Sequence, residues 1–356
     1  MHFSVLADFV RELAYGENRR QKRAALYRFQ PGPMSDPLAL DEFKQIDGAD
    51  PGYVNMTDLD RALSTLVRVI AGFIVNCDVI PRVCIGVKHG NASGAAVSIY
   101  GKPDPETVVR NMISGDPEDI FGGFIITNFP IYADLAEILR RYEVEGDKPR
   151  VLDGIIAPYV APVALDILKR KDNRCRVFVN PALGQINLDS IDKSGEFRKV
   201  RGGVIVQDSD SFVLNLSESY IERCGPELNP QEIQDLVLAW AIGSTSNSNN
   251  TVAVKDGCLI ANAVGQQSRV GSVRLLEMKA IVANHYDSLK DAVYYTNSFF
   301  PFVDAPLKLV EMGASVIFAS VSPNARRWQE IKELCARNSV VLIAGPDAIV
   351  RGFNRH

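Results

Sequence analysis

Alternating helical and strand-like segments predict an α/β fold in which helices cover the sheets. Three observations carry that expectation. Helix-period apolar spacing and short buried-strand runs succeed one another along most of the chain. The length of 356 residues exceeds what one ordinary core holds, so two or three packed units are expected. The pentapeptides GVKHG (Gly86–Gly90) and AVKDG (Ala253–Gly257) both follow strand-like runs, a hint that one architecture occurs twice.

In order along the chain, TDLDRALSTLVRVIAGFIVN (Thr57–Asn76) opens with Thr57 and carries Asp60 three residues on, the spacing of a capping box. Leu59, Leu63, Leu66, Ile70 and Phe73 then recur at helical spacing. VCIGV (83–87) reads as a short buried strand, PIYADLAEILRRYEVEG (130–146) as a helix and GIIAPYV (154–160) as a strand. PVALDILKRKDN (162–173) reads as a helix and RCRVFV (174–179) as a strand. The most polar stretch, NLDSIDKSGEFRKVRGG (Asn187–Gly203), suits a link between two halves. A helix in PQEIQDLVLAWAIG (230–243) and a strand in NTVAVKDG (250–257) follow. Two helix–strand pairs close the chain, in 305–320 and 326–345.

The composition excludes several classes of function. With 46% hydrophobic residues, a formal net charge of −4 and no Lys/Arg cluster, nothing points to a nucleic-acid or membrane-surface partner. The apolar runs are too short for a membrane span, and the N-terminus lacks the pattern of a secretory signal. Cys77, Cys84, Cys175, Cys224, Cys258 and Cys335 are scattered, with no C-x-x-C. Ordinary reduced thiols in a cytoplasmic protein are the expectation, and no zinc-ligand spacing is visible. There is no P-loop, no strand-bound G-x-G-x-x-G, no G-x-S-x-G elbow and no zinc-deaminase signature.

Three islands carry candidate chemistry. Lys88-His89-Gly90-Asn91 places one of only four histidines beside a lysine, ahead of glycines at 90 and 94. It reads either as a general base on a loop whose backbone approaches a ligand, or as a turn with an exposed imidazole. In the first reading Lys88 keeps His89 neutral and able to accept a proton. The second island, STSNSNNTVAVKDG with VGQQSRVGSVRLLEMKA, crowds three asparagines, two glutamines and Arg269 beside apolar strands. Its amides suit an amide-bearing heterocycle, or equally turn chemistry. The third, NSFFPFVD (Asn297–Asp304), is either core or a ring-binding wall ended by a carboxylate.

Together these islands resemble the transformylase domain of the bifunctional purine enzyme. That enzyme formylates AICAR (5-aminoimidazole-4-carboxamide ribonucleotide) and then closes the ring to IMP. The matching segments are LAYGENRRQKRAALY, KHGNASG, DIFGGFIITN, DGIIAPYVAPVALDILKRKDN, NAVGQQSRV, TNSFFPFVD and RGFNRH, in order from about residue 12 to the end. No room is left for the preceding cyclohydrolase domain, so a stand-alone, diverged transformylase is expected. The resemblance implies two cytidine-deaminase-like three-layer α/β/α subdomains without zinc. One spans 1–195 and carries Lys88-His89; the other spans 196–356 and carries Asn249, Arg269 and the FFPF motif. It implies a homodimer with active sites at the subunit interface, and 10-formyltetrahydrofolate as formyl donor.

Carried over position by position, the resemblance makes His89 the acceptor of the amine proton. Lys88 tunes it and stabilises the tetrahedral species, while Asn249 holds the substrate carboxamide. Tyr15, Gly122, Asp153, Phe299 and Arg351 match substrate-contacting positions. Phe121, Arg269, Val270, Phe302 and Asp304 match the folate side. The chain departs from the family pattern at Ala14, where the family has a phosphate-gripping arginine, and Arg19, Arg20 and Arg23 stand nearby. It departs again at SVSPNAR (Ser320–Arg326) and in ANAVGQ. Three functions follow: formyl transfer to AICAR, formyl transfer to a related amine that lacks or repositions the phosphate, or nucleotide or folate binding without turnover.

Overall fold

A computed structural model describes residues 5–30, 36–144, 146–322 and 325–354. Pro323 and Asn324 of the 320–326 loop, and Arg355 and His356 of the terminal motif, lie outside the described residues. The chain forms two compact units. The first comprises Met1–Leu66 with Arg82–Gln185, the second Val67–Pro81 with Ile186–His356.

The first unit begins with an antiparallel ribbon, β1 (Ala7–Glu12) and β2 (Ala25–Phe29). There follow β3 (Lys44–Asp47), α1 (Tyr53–Cys77, which runs on into the second unit), and a hairpin of β4 (Arg82–Lys88) and β5 (Asn91–Ser98). Three helix–strand steps complete it: α2 (Pro105–Gly115) and β6 (Phe124–Thr127), α3 (Ala133–Arg141) and β7 (Gly154–Ala157), α4 (Pro162–Leu168) and β8 (Arg176–Val179). The strand order is β5-β4-β6-β7-β8-β3. β6, β7 and β8 are parallel, and the remaining pairings are antiparallel.

The second unit repeats this order. An antiparallel ribbon of β9 (Glu196–Val200) and β10 (Gly203–Gln207), exposed at every residue, is followed by β11 (Glu222–Cys224) and α5 (Pro230–Ser244). The hairpin is β12 (Thr251–Lys255) and β13 (Cys258–Ala263). The three steps are α6 (Arg269–Val282) and β14 (Val293–Thr296), α7 (Asp304–Glu311) and β15 (Val316–Val321), α8 (Trp328–Arg337) and β16 (Val341–Pro346). A short α9 (Asp347–Val350) ends the unit. The order β13-β12-β14-β15-β16-β11 matches that of the first unit strand for strand. The fold is mixed α/β, and the two pentapeptides are the turns of equivalent hairpins.

Local chemistry explains the boundaries. Asn229 caps α5 through the amides of Gln231 and Glu232, and Glu232 reaches back to the Asn229 amide. Asp104 caps α2 by accepting from the Thr107 amide. The capping box expected at Thr57 does not form. α1 starts four residues earlier, and Thr57 Oγ1 donates to the Val54 carbonyl inside it (2.9 Å). Instead the Tyr53 amide donates to the Tyr15 carbonyl, and Asn55 Oδ1 accepts from the Gly52 amide. A tertiary partner thus does the work that a local cap was expected to do.

The parallel strands are apolar along their middles, where both faces are buried, and carry polar residues such as Arg176, Thr127, Thr296 and Ser320 towards their ends. Ile125, Ile126, Ile155 and Ile156 are fully buried, as are Tyr294, Tyr295 and Ile317, and so are Val252 and Ala253 on the antiparallel β12 beside them. α2 lies so close to β5 that a Cβ on Gly94 would sit 2.1 Å from the Met112 carbonyl oxygen. All six cysteines are free thiols. Burial pushes the Cys175 and Cys335 thiols up to about 12 and about 11, which keeps them in the inert protonated form. No helix among the described residues is long and apolar enough to cross a membrane. Gly94→Ala is expected to destabilise the protein by about 1–3 kcal/mol in urea denaturation. A variant as stable as the parent would refute this close packing.

Candidate functional site

In the first unit the candidate residues gather at one sheet end. Lys88 is the last residue of β4 and pairs with Asn91, leaving His89 and Gly90 as a two-residue turn. Both have positive φ, +52° and +73°, as the right-handed twist of the flanking strands requires. His89 is exposed and Lys88 half-buried. Two buried side chains of α1 grip the turn. Asp58 Oδ1 accepts from the Gly90 amide (2.7 Å), and Arg61 Nε donates to the Gly90 carbonyl (3.0 Å). Burial pushes the Asp58 carboxyl up to about 6, while the Gly90 amide and the His89 charge oppose the rise.

Phe121 and Gly122 lead into β6, and Asp153 leads into β7 beside them. The Asp153 amide donates to the Gly123 carbonyl (3.0 Å). Gly123 has to be glycine, since a Cβ there would meet the Val87 carbonyl at 2.8 Å. The Asp153 carboxylate accepts from Arg170 Nη1 (2.5 Å). Tyr15 lies across Gly52 at the start of α1, with the Arg19 guanidinium 5.5 Å from its ring centroid. The fold thus brings Tyr15, Lys88, His89, Phe121, Gly122 and Asp153 to one edge. Asp58 and Arg61 join them, although their sequence pattern showed only polar positions on an amphipathic helix.

In the second unit a cavity of about 440 Å³ is lined by Asn249, Arg269, Val270, Phe299, Phe302 and Asp304, with Gln267, Ser268, Ser298 and Pro301. The cavity opens where the parallel strands end, the usual place for ligands in such sheets. The backbone of Asn249 pairs with that of Gln266 in both directions (3.1 and 3.2 Å), and its Nδ2 donates to the Gln266 carbonyl (2.9 Å). Arg269 is the first residue of α6, which Ser268 caps. Its Nη1 donates to Asn297 Oδ1. The same oxygen accepts from the Asn250 amide (3.0 Å), and Asn297 Nδ2 donates to Ser248 Oγ (2.8 Å). Burial, then the neighbouring Arg351 charge, pulls the Arg269 guanidinium down to about 10.

Of the three phenylalanines in NSFFPFVD, Phe300 belongs to the core, whereas Phe299 and Phe302 line the cavity. Arg351 pairs with Asp347 (3.7 Å) and packs over Phe353. Asp347 also accepts from Ser320 Oγ and from Ser298 Oγ (3.4 Å). No sequence pattern marked Asp347. Aromatic walls, two amides, one carboxylate and a cation at a helix N-terminus suit a flat polar ring bearing negative charge. Among the described residues, no group of three or more His, Cys, Asp or Glu could hold a metal ion.

Asn297 ties together Arg269, Asn250 and Ser248, and it is 1% exposed. Asn297→Ala is therefore expected to cost on the order of 1–3 kcal/mol, because a buried amide and a desolvated guanidinium lose their acceptor. Urea denaturation measures the cost, and a change near zero would show that the network carries no stability.

A family model described as AICARFT/IMPCHase bienzyme matches residues 2–279, more than three quarters of the chain. The match takes in both hairpin turns, Asn249 and Arg269. It represents a family of enzymes of purine biosynthesis. On that match and this fold, the chain belongs to the AICARFT/IMPCHase bienzyme family.

Proposed function

We propose that the chain is a formyltransferase that moves the formyl group of 10-formyltetrahydrofolate to the 5-amine of AICAR. One observation carries this reading. The family match takes in Lys88, His89 and Asn249 together, and His89 stands open to solvent at the end of β4, where a substrate amine can reach it. An amine conjugated to a carboxamide is a weak nucleophile and must lose its proton as the new bond forms. In the proposed step the amine nitrogen attacks the formyl carbon, the carbonyl oxygen becomes an oxyanion, and His89 takes the amine proton. The C–N10 bond of the donor then breaks, and the imidazolium returns the proton to N10 of tetrahydrofolate. Lys88 faces the oxyanion and Asn249 holds the carboxamide. A positioned base contributes roughly 10²–10⁴-fold, and an oxyanion partner roughly 3–4 kcal/mol.

Tyr15, Gly122, Asp153, Phe299 and Arg351 are proposed to contact the acceptor. Phe121, Arg269, Val270, Phe302 and Asp304 are proposed to line the folate side; the cavity in the second unit, which holds the last four of these, supports their part of the set. The repeated strand order supports the reading of two cytidine-deaminase-like units. A homodimer is part of the proposal. The ribbon β9–β10, with Phe197, Ile205 and Val206 exposed, supports it, because an isolated two-stranded ribbon is marginal in water.

A second reading, formyl transfer to a related amine that lacks the phosphate or presents it elsewhere, is favoured by two observations. Ala14 offers no side-chain donor, and Arg351 is already paired with Asp347.

Steady-state transfer from 10-formyltetrahydrofolate to AICAR tests the proposal. His89→Ala is expected to lower kcat by roughly 10²–10⁴-fold with unchanged circular dichroism. A variant with parental kcat removes His89 from the mechanism. Ala14→Arg is expected to lower KM for AICAR. An unchanged or higher KM locates the phosphate away from residue 14.

A further inference from the structure

The turn that carries His89 is built twice. In the second unit Asp256 and Gly257 occupy the same two-residue connection, with φ of +52° and +73°. There a buried carboxylate on the preceding helix, Asp235 of α5, accepts both turn amides. Asp256 N donates to Oδ2 (2.9 Å) and Gly257 N to Oδ1 (2.7 Å), and Gln231 Nε2 adds a further bond to Oδ1 (2.9 Å). The residue at the first turn position there is itself an acid, so this copy sets carboxylate near carboxylate and serves as a staple between helix and hairpin.

In the first unit the staple is kept and the residue it presents is changed. Asp58 accepts the Gly90 amide, and Arg61, one helical turn later, donates to the Gly90 carbonyl, so α1 grips both sides of the glycine. The first turn position now holds an imidazole. The charged groups that Asp58 faces are His89 on the turn, Arg61 on its own helix and Asp153 before β7. Lys88 adjoins His89 with the opposite effect. Low exposure, 7% for Asp58, makes such charges weigh more than they would in water.

We propose that Asp58 is a positioning residue for His89: its carboxylate fixes the turn that presents the imidazole and supplies the negative charge facing the imidazolium as it forms. The inference rests on reading His89 as the proton acceptor. It adds that the base is an assembled pair, in which the helix carboxylate counters the adjacent lysine. When the amine N–H breaks and the imidazolium N–H forms, the positive charge appears where Asp58 offsets it.

The test uses the full-length protein and two readouts. One is the imidazole titration of His89 by NMR, assigned with His89→Gln and needing no substrate. The other is the pH profile of kcat/KM for formyl transfer. Asp58→Asn keeps an acceptor oxygen for the Gly90 amide and removes the charge. It is expected to lower the His89 midpoint and to move the profile the same way, because a negative charge near the imidazolium is removed. Asp58→Ala removes the acceptor as well and is expected to lower kcat a further tenfold or so, a fraction of the roughly 10²–10⁴-fold that loss of the base itself costs. Asp235→Asn, the same change in the twin staple, is expected to leave the His89 midpoint where it was. A His89 midpoint unmoved in Asp58→Asn, or moved equally in Asp235→Asn, overturns the inference. If the midpoint moves in Asp58→Asn alone but the parent shows no transfer, the pairing stands and the assignment of His89 as the base falls.

Discussion

Burial of both faces of the central strands in each unit is the constraint on which the rest of the structure depends. With helices on either side, the central strands admit almost nothing but Ile, Val, Ala, Phe and Tyr. Polar chemistry is displaced to the strand ends and the hairpin turns. Lys88, Asp153, Asn249, Asn297 and Asp347 all lie within a residue or two of a strand terminus. There backbone amides and carbonyls have no ladder partner and recruit side chains instead. Asn297 and Asp58 meet that demand while also fixing functional groups, so scaffold and site share the same hydrogen bonds.

Repetition of one architecture shows which of these features belong to the scaffold. TNFPIYAD (Thr127–Asp134) and TNSFFPFVD (Thr296–Asp304) follow equivalent strands, β6 and β14. In the first, Asn128 Oδ1 accepts from the Val83 amide (2.8 Å) and Thr127 Oγ1 donates to the Phe129 carbonyl (2.7 Å). In the second, Asn297 Oδ1 accepts from the Asn250 amide (3.0 Å) and Thr296 Oγ1 donates to the Ser298 carbonyl (3.2 Å). The shared bonds lock each strand end to its hairpin. The differences are where chemistry enters. Only the second copy adds Arg269 to its asparagine, and only the first places a histidine in its turn.

Much of the fold was legible because periodicity survives in the sequence. The apolar spacing of α1, the buried runs of β4, β7 and β8, and the closing helix–strand pairs all appear where the pattern put them. The paired KHG and KDG turns were legible because a two-residue connection needs left-handed backbone and so selects glycine at its second position. The start of α1 was not, because its first amide is satisfied by Tyr15, a residue 38 positions away in the chain. Nor did the phenylalanine run reveal which rings face the cavity. Phe299, Phe300 and Phe302 have the same chemistry, and only packing assigns Phe300 to the core.

By itself the sequence determined the α/β alternation, the doubled hairpin and the residue types available to the site, since these depend on spacing along the chain. Tertiary structure alone decided that Asp58 and Arg61 hold the histidine turn, that Asn297 binds Arg269, and that Asp347 meets Ser298 and Ser320. The hydrogen bonds and ion pairs that define these arrangements form, for the most part, between segments far apart in the chain. Which buried donor meets which acceptor is settled only when the packed core brings the strand ends together.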